Sequence, residues 1–322
     1  MINNVSLISC AGSLPDRQLN IPRKNNEKAI FSTNDEHLPE KRSLWRLDKK
    51  ESITKLIVNC LSKALHQVNM NVNQLDCIII SLVWPSNILY EEIIDFVQEL
   101  NIACPVIPVS LGTAGGLTAL ELGWNQFSNP ACKLVAVLAA CNYAHWFTSE
   151  DPVSSLLSDG AACLILSYGS GISLIHSKTI QTYDYGRLIF MDNHVETTME
   201  LDRTIFSKLP TTIFNSCYQL CRDAGKDIND IRYFHIYDPI YWVSEVSAKI
   251  LQVSQDKILT IFDKYGSLGP AQNFFALIEL NACSDIFSDD LFILFGFGPF
   301  ATSTSFLLSW KKIPTAIDFI SV

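Results

Sequence analysis

The sequence predicts an α/β fold of parallel strand-and-helix layers, built from two related halves. Three observations predict it: apolar runs of strand length, helices with 3–4 apolar spacing between them, and a glycine-rich junction that recurs late in the chain. Residues 106–110 read as a strand running into Leu111-Gly112-Thr113-Ala114-Gly115-Gly116, followed by an apolar helix over 117–127 and a strand over 133–140. Near the other end, Tyr265-Gly266-Ser267-Leu268-Gly269-Pro270-Ala271 precedes a helix over 273–282 and a strand over 291–297. Strands alternating with helices imply parallel α/β layers, and the recurrence is a weak internal repeat. The halves divide as residues 1–168 and 169–322.

The remaining elements follow in order. Residues 5–10 form a first strand, and 14–48, with three prolines and mixed charges, read as a long surface excursion. Ile53, Leu56, Ile57, Cys60, Leu61 and Leu65 recur at helical spacing and mark an amphipathic helix over 52–68. Residues 77–83 are apolar except for Ser81, the pattern of a strand buried on both faces. A helix follows over 93–100. The most apolar run, 291–308, is broken by Gly296, Gly298, Pro299 and several hydroxyls, so it reads as two core strands around a turn rather than a membrane span. Gly169-Ser170-Gly171 is a short turn between strands and lacks the third glycine and following helix of a dinucleotide fingerprint.

Composition narrows the function classes. Hydrophobic residues make up 48% of the 322 positions and charged residues only 18%, against about 25% in typical globular chains. A large buried fraction or an oligomer interface is implied. The net charge of −9, with no basic stripe, argues against nucleic acid as a partner. The ten cysteines lie in apolar runs such as Cys77-Ile78-Ile79, without CxxC pairs or close Cys/His clusters. They read as small buried hydrophobes in a reducing compartment, and no metal site is expected. Residues 1–16 lack the basic start and apolar core of a signal peptide. A cytoplasmic protein without membrane contact is expected.

Several motifs, in order, resemble ketoacyl-ACP synthase III of the thiolase superfamily. The segment Pro108-Val109-Ser110-Leu111-Gly112-Thr113-Ala114-Gly115-Gly116 resembles that family's nucleophile elbow, which carries Cys-Ala-Gly. Ser158-Asp159-Gly160-Ala161-Ala162 is similar to its Gly-Asp-Gly-Ala-Gly strand entry, and Asp202-Arg203-Thr204-Ile205-Phe206 to its Gly-Arg-Glu-Val-Phe helix start. Phe295-Gly296-Phe297-Gly298 resembles its C-terminal Gly-Phe-Gly turn, and Asn34-Asp35-Glu36 its Ser-Asp-Glu near the CoA-binding loop. The resemblance spans roughly residues 34–298. It implies a five-layered αβαβα thiolase fold with two pseudo-repeated halves, a dimer, and acyl-CoA or acyl-ACP as ligand with no other cofactor. An acyl carrier protein is acidic, so a chain of charge −9 could dock one only through a local Lys/Arg patch.

The same alignment removes the catalytic set. In the family a cysteine thiolate at a helix start attacks the thioester, and a His and an Asn stabilise the enolate formed by decarboxylation. The cysteine falls on Thr113, whose hydroxyl needs an adjacent base to act. The His of the family's His-Gln-Ala-Asn, counted back from Lys249, falls on Tyr237 and its Asn on Ile240; the Asn after a Tyr-Gly pair falls on Ser267. The adenine-stacking Trp is replaced by His37, and the Arg after His-Gln-Ala-Asn falls on Trp242. His235 stands two residues before Tyr237 and is either a substitute base or a strand-end histidine. Thr113 is a nucleophile or a small pocket-floor residue. Gly112, Asp238, Gly298 and His37 are placed by the resemblance at the ligand. His145, His194, Cys141 and Ser110 read as structural or surface residues.

Three functions stay open on these residues: a non-condensing subunit pairing with an active homologue, as homodimer or heterodimer, in a fatty-acid or polyketide-type pathway; an acyltransferase to an O, N or C nucleophile; or an acyl-CoA-binding regulatory protein. All three leave decarboxylative condensation absent.

Overall fold

The computed structural model describes residues 5–22, 41–48, 50–83, 86–147, 152–181, 189–191, 199–201, 204–240, 242–298 and 302–322. Its helices of ten residues or more are α1 (Thr54–His66), α2 (Ser86–Glu99), α3 (Gly115–Gln126), α4 (Thr204–Asp223), α5 (Trp242–Leu251) and α6 (Gln272–Ala282), and a single helical turn spans Phe262–Tyr265. The first-half strands are β1 (Val5–Pro15), β2 (Gln18–Pro22), β3 (Lys41–Trp45), β4 (Cys77–Leu82), β5 (Val106–Val109), β6 (Leu134–Cys141) and β7 (Gly160–Tyr168). They are followed by β8 (Ile172–Gln181), β9 (Ile189–Met191), β10 (Met199–Leu201), β11 (Ile231–Ile236), β12 (Leu291–Phe297), β13 (Thr302–Ser309) and β14 (Thr315–Ile320).

Nine strands run in the order β11-β12-β13-β8-β1-β7-β6-β4-β5, and β14 pairs with β1. The path bends where β1 meets β8, since they pair only at Ser6 and Leu7. Each side of that bend has one plan. On one, β1 is followed outward by β7, β6, β4 and β5; on the other, β8 is followed by β13, β12 and β11, with Phe234 of β11 bridging Ile258 in the place of a fifth strand. Chain order gives the same correspondence: β4, β5, β6 and β7 recur as β11, the Ile258 bridge, β12 and β13.

Side-chain alternation turns this plan into layers. On β12, Phe292 and Leu294 enter a central core while Ile293 and Phe295 enter an outer one. The central core holds Leu117, Leu120 and Trp124 of α3 with Phe274, Phe275 and Leu277 of α6. One outer core packs α1 (Leu56, Ile57, Leu61) on Ile78 and Ile80 of β4. The other packs α4 (Ile213, Cys217) and α5 (Val243, Leu251) on Phe234 and Ile236 of β11. Helix, sheet, helix, sheet, helix is the result, because each sheet has two apolar faces to cover.

Three elements differ from the sequence reading. β1 runs five residues further than residue 10, because Ala11, Gly12 and Ser13 continue the β7 ladder and Leu14 is fully buried. The 14–48 excursion contains an antiparallel hairpin of β2 and β3, with Gln18 opposite Trp45 and Pro22 opposite Lys41. The helix expected over 93–100 begins at Ser86, so α2 is nearly four turns long. All ten cysteines are free.

Candidate active site

The two glycine-rich junctions fold alike. Gly112 and Gly269 both have φ of +53°, a conformation that costs a side-chain-bearing residue but not glycine, and each opens a single 3₁₀ turn leading into α3 or α6. The two helix starts meet in the central layer: a Cβ on Gly116 would lie 2.0 Å from the Pro270 carbonyl oxygen. Thr113 sits half-buried in the first of these turns, and its hydroxyl donates to the Phe297 carbonyl at the end of β12.

Tyr237 and Ser267 come together there. The Tyr237 amide continues the β11–β12 ladder by donating to the Phe295 carbonyl (2.9 Å). Its phenol lies 2.9 Å from the Ser267 hydroxyl. Ser267 is fully buried and fixed at both backbone groups, its amide donating to the Leu156 carbonyl (2.8 Å) and its carbonyl accepting from the Ser158 amide (2.9 Å). Burial pushes the phenol well above its usual range, against hydrogen bonding by Ser267 and Thr113, so Tyr237 is a neutral hydroxyl at physiological pH. Between them, Tyr237 and Ser267 share one hydrogen bond and leave one hydroxyl proton for a further acceptor.

Asp238 holds this pair in place. Its carboxylate accepts from the Thr260 hydroxyl and the Gln272 amide, and burial pushes it up to about 7 despite those bonds. Gln272 also donates to the Asp238 carbonyl (3.1 Å) and accepts from the Leu268 amide (3.3 Å). It thus joins the residue after Tyr237 to the residue after Ser267. Nothing in the sequence singled out Gln272, since its polarity is ordinary for a first helical turn.

The other sequence-derived residues are placed as follows. His235 faces the interior from β11; its Nδ1–H donates to the Leu259 carbonyl (3.0 Å) and burial lowers it to about 4. Its Nε2 has no partner among the described residues. Gly298 packs against the elbow, where a Cβ would meet the Leu111 carbonyl at 2.6 Å, and its amide donates to the Thr302 carbonyl (2.8 Å). The Cys141 thiol is buried 3.1 Å from the Leu268 carbonyl, and burial pushes it far up, away from thiolate character. His145 bonds the Glu51 carbonyl (2.8 Å), and Trp242 is buried in the outer core at the start of α5. His37, His194, Asn34, Asp35, Glu36, Asp202 and Arg203 lie outside the described residues.

Asp159 of the strand-entry motif accepts from the Leu47 (2.9 Å) and Ala144 (3.1 Å) amides, tying the β3 end to the β6 end. Burial pushes it up to about 6, against the neighbouring Arg46. Beside it is a cavity of about 420 Å³ lined by Arg17, Leu19, Leu44, Arg46, Phe147 and Ser155 among others. Leu44 connects cavity and site, for a Cβ on Gly266 would lie 2.4 Å from its Cδ2. The arrangement can bind an acceptor oxygen through neutral hydroxyls. It has no bonded general base: among the described residues, Thr113 donates to a backbone carbonyl, not to His235 or Asp238. No cluster of three or more His, Cys, Asp or Glu suited to a metal occurs among the described residues, and no helix there is long and apolar enough to cross a membrane.

No protein-family model matches the chain. It is 23% identical over 330 residues to the beta-ketoacyl-[acyl-carrier-protein] synthase III of Clostridium botulinum strain Okra, covering 96% of this chain and 100% of that protein. The counterpart in Clostridium novyi is 22% identical over 327 residues, covering 96% and 99%. Among solved structures, 3-oxoacyl-(acyl carrier protein) synthase III of Pseudomonas aeruginosa superposes with a TM-score of 0.82 at 15% identity, covering 97% and 99%. OleA of Xanthomonas campestris, with bound lauric acid and lauroyl-CoA, gives 0.80 at 14% identity, covering 96% and 100%. The tetronic acid condensing enzyme AbyA1 gives 0.78 at 15%, covering 94% and 99%. With two pseudo-repeated sheets between three helical layers, the chain has the thiolase fold of ketoacyl-ACP synthase III.

Proposed function

We propose that this chain is an acyl-thioester-binding, ketoacyl-synthase-III-like subunit that does not condense, and that it pairs with an active homologue in a cytoplasmic fatty-acid or polyketide-type pathway. One observation carries the reading. The positions aligned with Cys, His and Asn are Thr113, Tyr237 and Ser267, three neutral hydroxyls that bond the Phe297 carbonyl and one another, with no thiolate, imidazole or carboxamide among them. A threonine without a bonded base is a poor nucleophile, and a buried phenol cannot act as a base near neutral pH. The acyl-thioester part draws on relatives named as ketoacyl and 3-oxoacyl synthases and on a neighbour holding lauroyl-CoA.

Pairing is supported by the surface. β5 ends the sheet, and its Ile107 and Pro108 are exposed, as are Ile94 of α2 and Leu122 of α3. An uncovered apolar edge strand is a template for a second chain. The reading is tested by incubating the purified protein with acyl-CoA and malonyl-ACP, alone and with the homologue that co-purifies from the native host. Malonyl decarboxylation is expected only when the homologue is present; ketoacyl product from this chain alone would refute the proposal.

A further inference from the structure

Asn273, in the first turn of α6, is fully buried, and neither its Nδ2 nor its Oδ1 has a hydrogen-bond partner among the described residues. A carboxamide buried in this way destabilises the fold, and the central layer around it is apolar. Its place is specific. A methyl group put on Gly296 would lie 3.6 Å from Asn273 Nδ2, 3.6 Å from the Ala114 Cα and 3.3 Å from Leu117. Gly296 is followed by Phe297, whose carbonyl takes the Thr113 hydroxyl. The amide therefore lies directly behind the elbow, on the side of the second sheet.

On the opposite side stands Ser81 of β4, also fully buried and with a hydroxyl that has no partner among the described residues. It presses on the same helix start, since a Cβ on Gly115 would be 2.2 Å from its Oγ. Two unspent polar groups thus flank the beginning of α3, one from the strand β4 and one from the helix α6. No side chain caps that helix start, and its dipole favours an electron-rich oxygen.

We propose that Asn273 is the amide donor to the carbonyl oxygen of the bound acyl thioester, a carboxamide supplied one helical turn beyond the position where this chain has only the Ser267 hydroxyl. This rests on the acyl-thioester reading above. The chemistry suits the ligand: a thioester carbonyl only accepts, and Nδ2 donates twice without adding charge to an apolar layer. Low local polarity strengthens such a bond when it forms and penalises the amide when it does not. If packing were its whole role, leucine, branched at the same carbon, would serve the position better.

The test uses lauroyl-CoA labelled with ¹³C at the carbonyl. Isotope-edited infrared spectra are recorded for wild type, Asn273→Leu, Asn273→Ala and Ser267→Ala, with near-ultraviolet circular dichroism as the folding control. The bound carbonyl stretch is expected to fall below its free value in wild type and in Ser267→Ala. In both Asn273 variants it returns to the free value, with binding about tenfold weaker, the scale of one lost hydrogen bond. Asn273→Leu is also expected to unfold at a higher temperature than wild type. A red-shifted carbonyl in a folded Asn273 variant, or its loss in Ser267→Ala, overturns the assignment. Failure of the wild type to bind lauroyl-CoA overturns the acyl-thioester reading itself, and this inference with it.

Discussion

Replacing Asp238 by Asn should remove a pH dependence of stability that the buried carboxyl imposes. Asp238 is almost wholly buried and pushed up to about 7, against about 3.9 for the ordinary side chain. An acid raised in the folded state stays protonated there while the unfolded chain has already released its proton. Its contribution is therefore fully present below about pH 4, is lost as pH rises through about 7, and changes little above that. Between pH 5 and 7 the loss amounts to about 2 kcal/mol, and by pH 8 to about 3 kcal/mol. Asparagine keeps the shape: its Oδ1 can accept from Gln272, and its Nδ2 can donate to a Thr260 hydroxyl that rotates to accept. Asp159, raised to about 6, and Glu92, raised to about 7, slope the same way, while His235, lowered to about 4, opposes them below about pH 6.5. The difference between variant and wild type isolates Asp238 from all three. Urea denaturation at pH 5, 6, 7 and 8 should show the stability of Asp238→Asn rising relative to wild type by about 3 kcal/mol across the series. At an m-value of about 3 kcal/mol/M that is a midpoint separation growing by about 1 M. A difference that stays constant with pH would show that Asp238 is already ionised in the folded protein and that the Gln272–Thr260 network holds a carboxylate.

Thr113→Cys should allow acyl loading from acyl-CoA, read as a mass increment on the intact protein, without condensation, since each missing oxyanion donor costs about 10²–10³ in rate; ketoacyl product from the single variant would contradict this. Gly116→Ala should destabilise by about 2 kcal/mol or more, because the new methyl meets a backbone carbonyl that cannot yield cheaply. Helix propensity alone gives the opposite sign, a gain of up to about 1 kcal/mol, so the urea midpoint decides between them. The protein, alone or with its homologue, should be dimeric by light scattering at micromolar concentration, burying more than about 2,000 Å² in total. Ile107→Asp at the exposed edge should dissociate it; a wild-type monomer with no co-purifying partner would refute the edge assignment.

Much of this architecture was legible because its causes are local. Runs such as 77–83 can be buried on both faces only inside a layered sheet, and Leu-Gly at 111–112 and 268–269 announces the same left-handed turn twice. The β2–β3 hairpin was not legible, since Gln18 to Pro22 lacks a run of apolar residues and its partner lies some twenty residues away. Neither was β14, whose Thr-Ala-Ile-Asp-Phe-Ile could serve several edges and is fixed only by the β1 edge left open below β8. Within the candidate site, counting along motifs pointed to Tyr237 and Ser267, which share a hydrogen bond, and to Thr113 in the turn before α3. It could not locate Gln272 or Asn273, because one matters for bridging two segments and the other for a partner it does not have.

Aligning the two junctions explains why those two residues differ from their counterparts. Leu111-Gly112-Thr113-Ala114-Gly115-Gly116 corresponds position by position to Leu268-Gly269-Pro270-Ala271-Gln272-Asn273. Where the first half has Gly115 pressed on Ser81, the second has Gln272 bonded to Asp238. Where the first has Gly116, with no side chain so that the helix starts can touch, the second has the Asn273 amide. Gln272 supports Asp238 beside Tyr237 and Asn273 lies beside the Thr113 elbow, whereas Pro270, the counterpart of Thr113, has no hydroxyl or thiol to offer. The two halves are thus alike in backbone and unlike in chemistry: one presents a helix start with Ser81 against it, and the other adds the Gln272 and Asn273 amides. A chain that had drifted into a purely structural role would gain stability by exchanging Asn273 for leucine, and the Asn273→Leu melting temperature measures how much stability the amide forgoes.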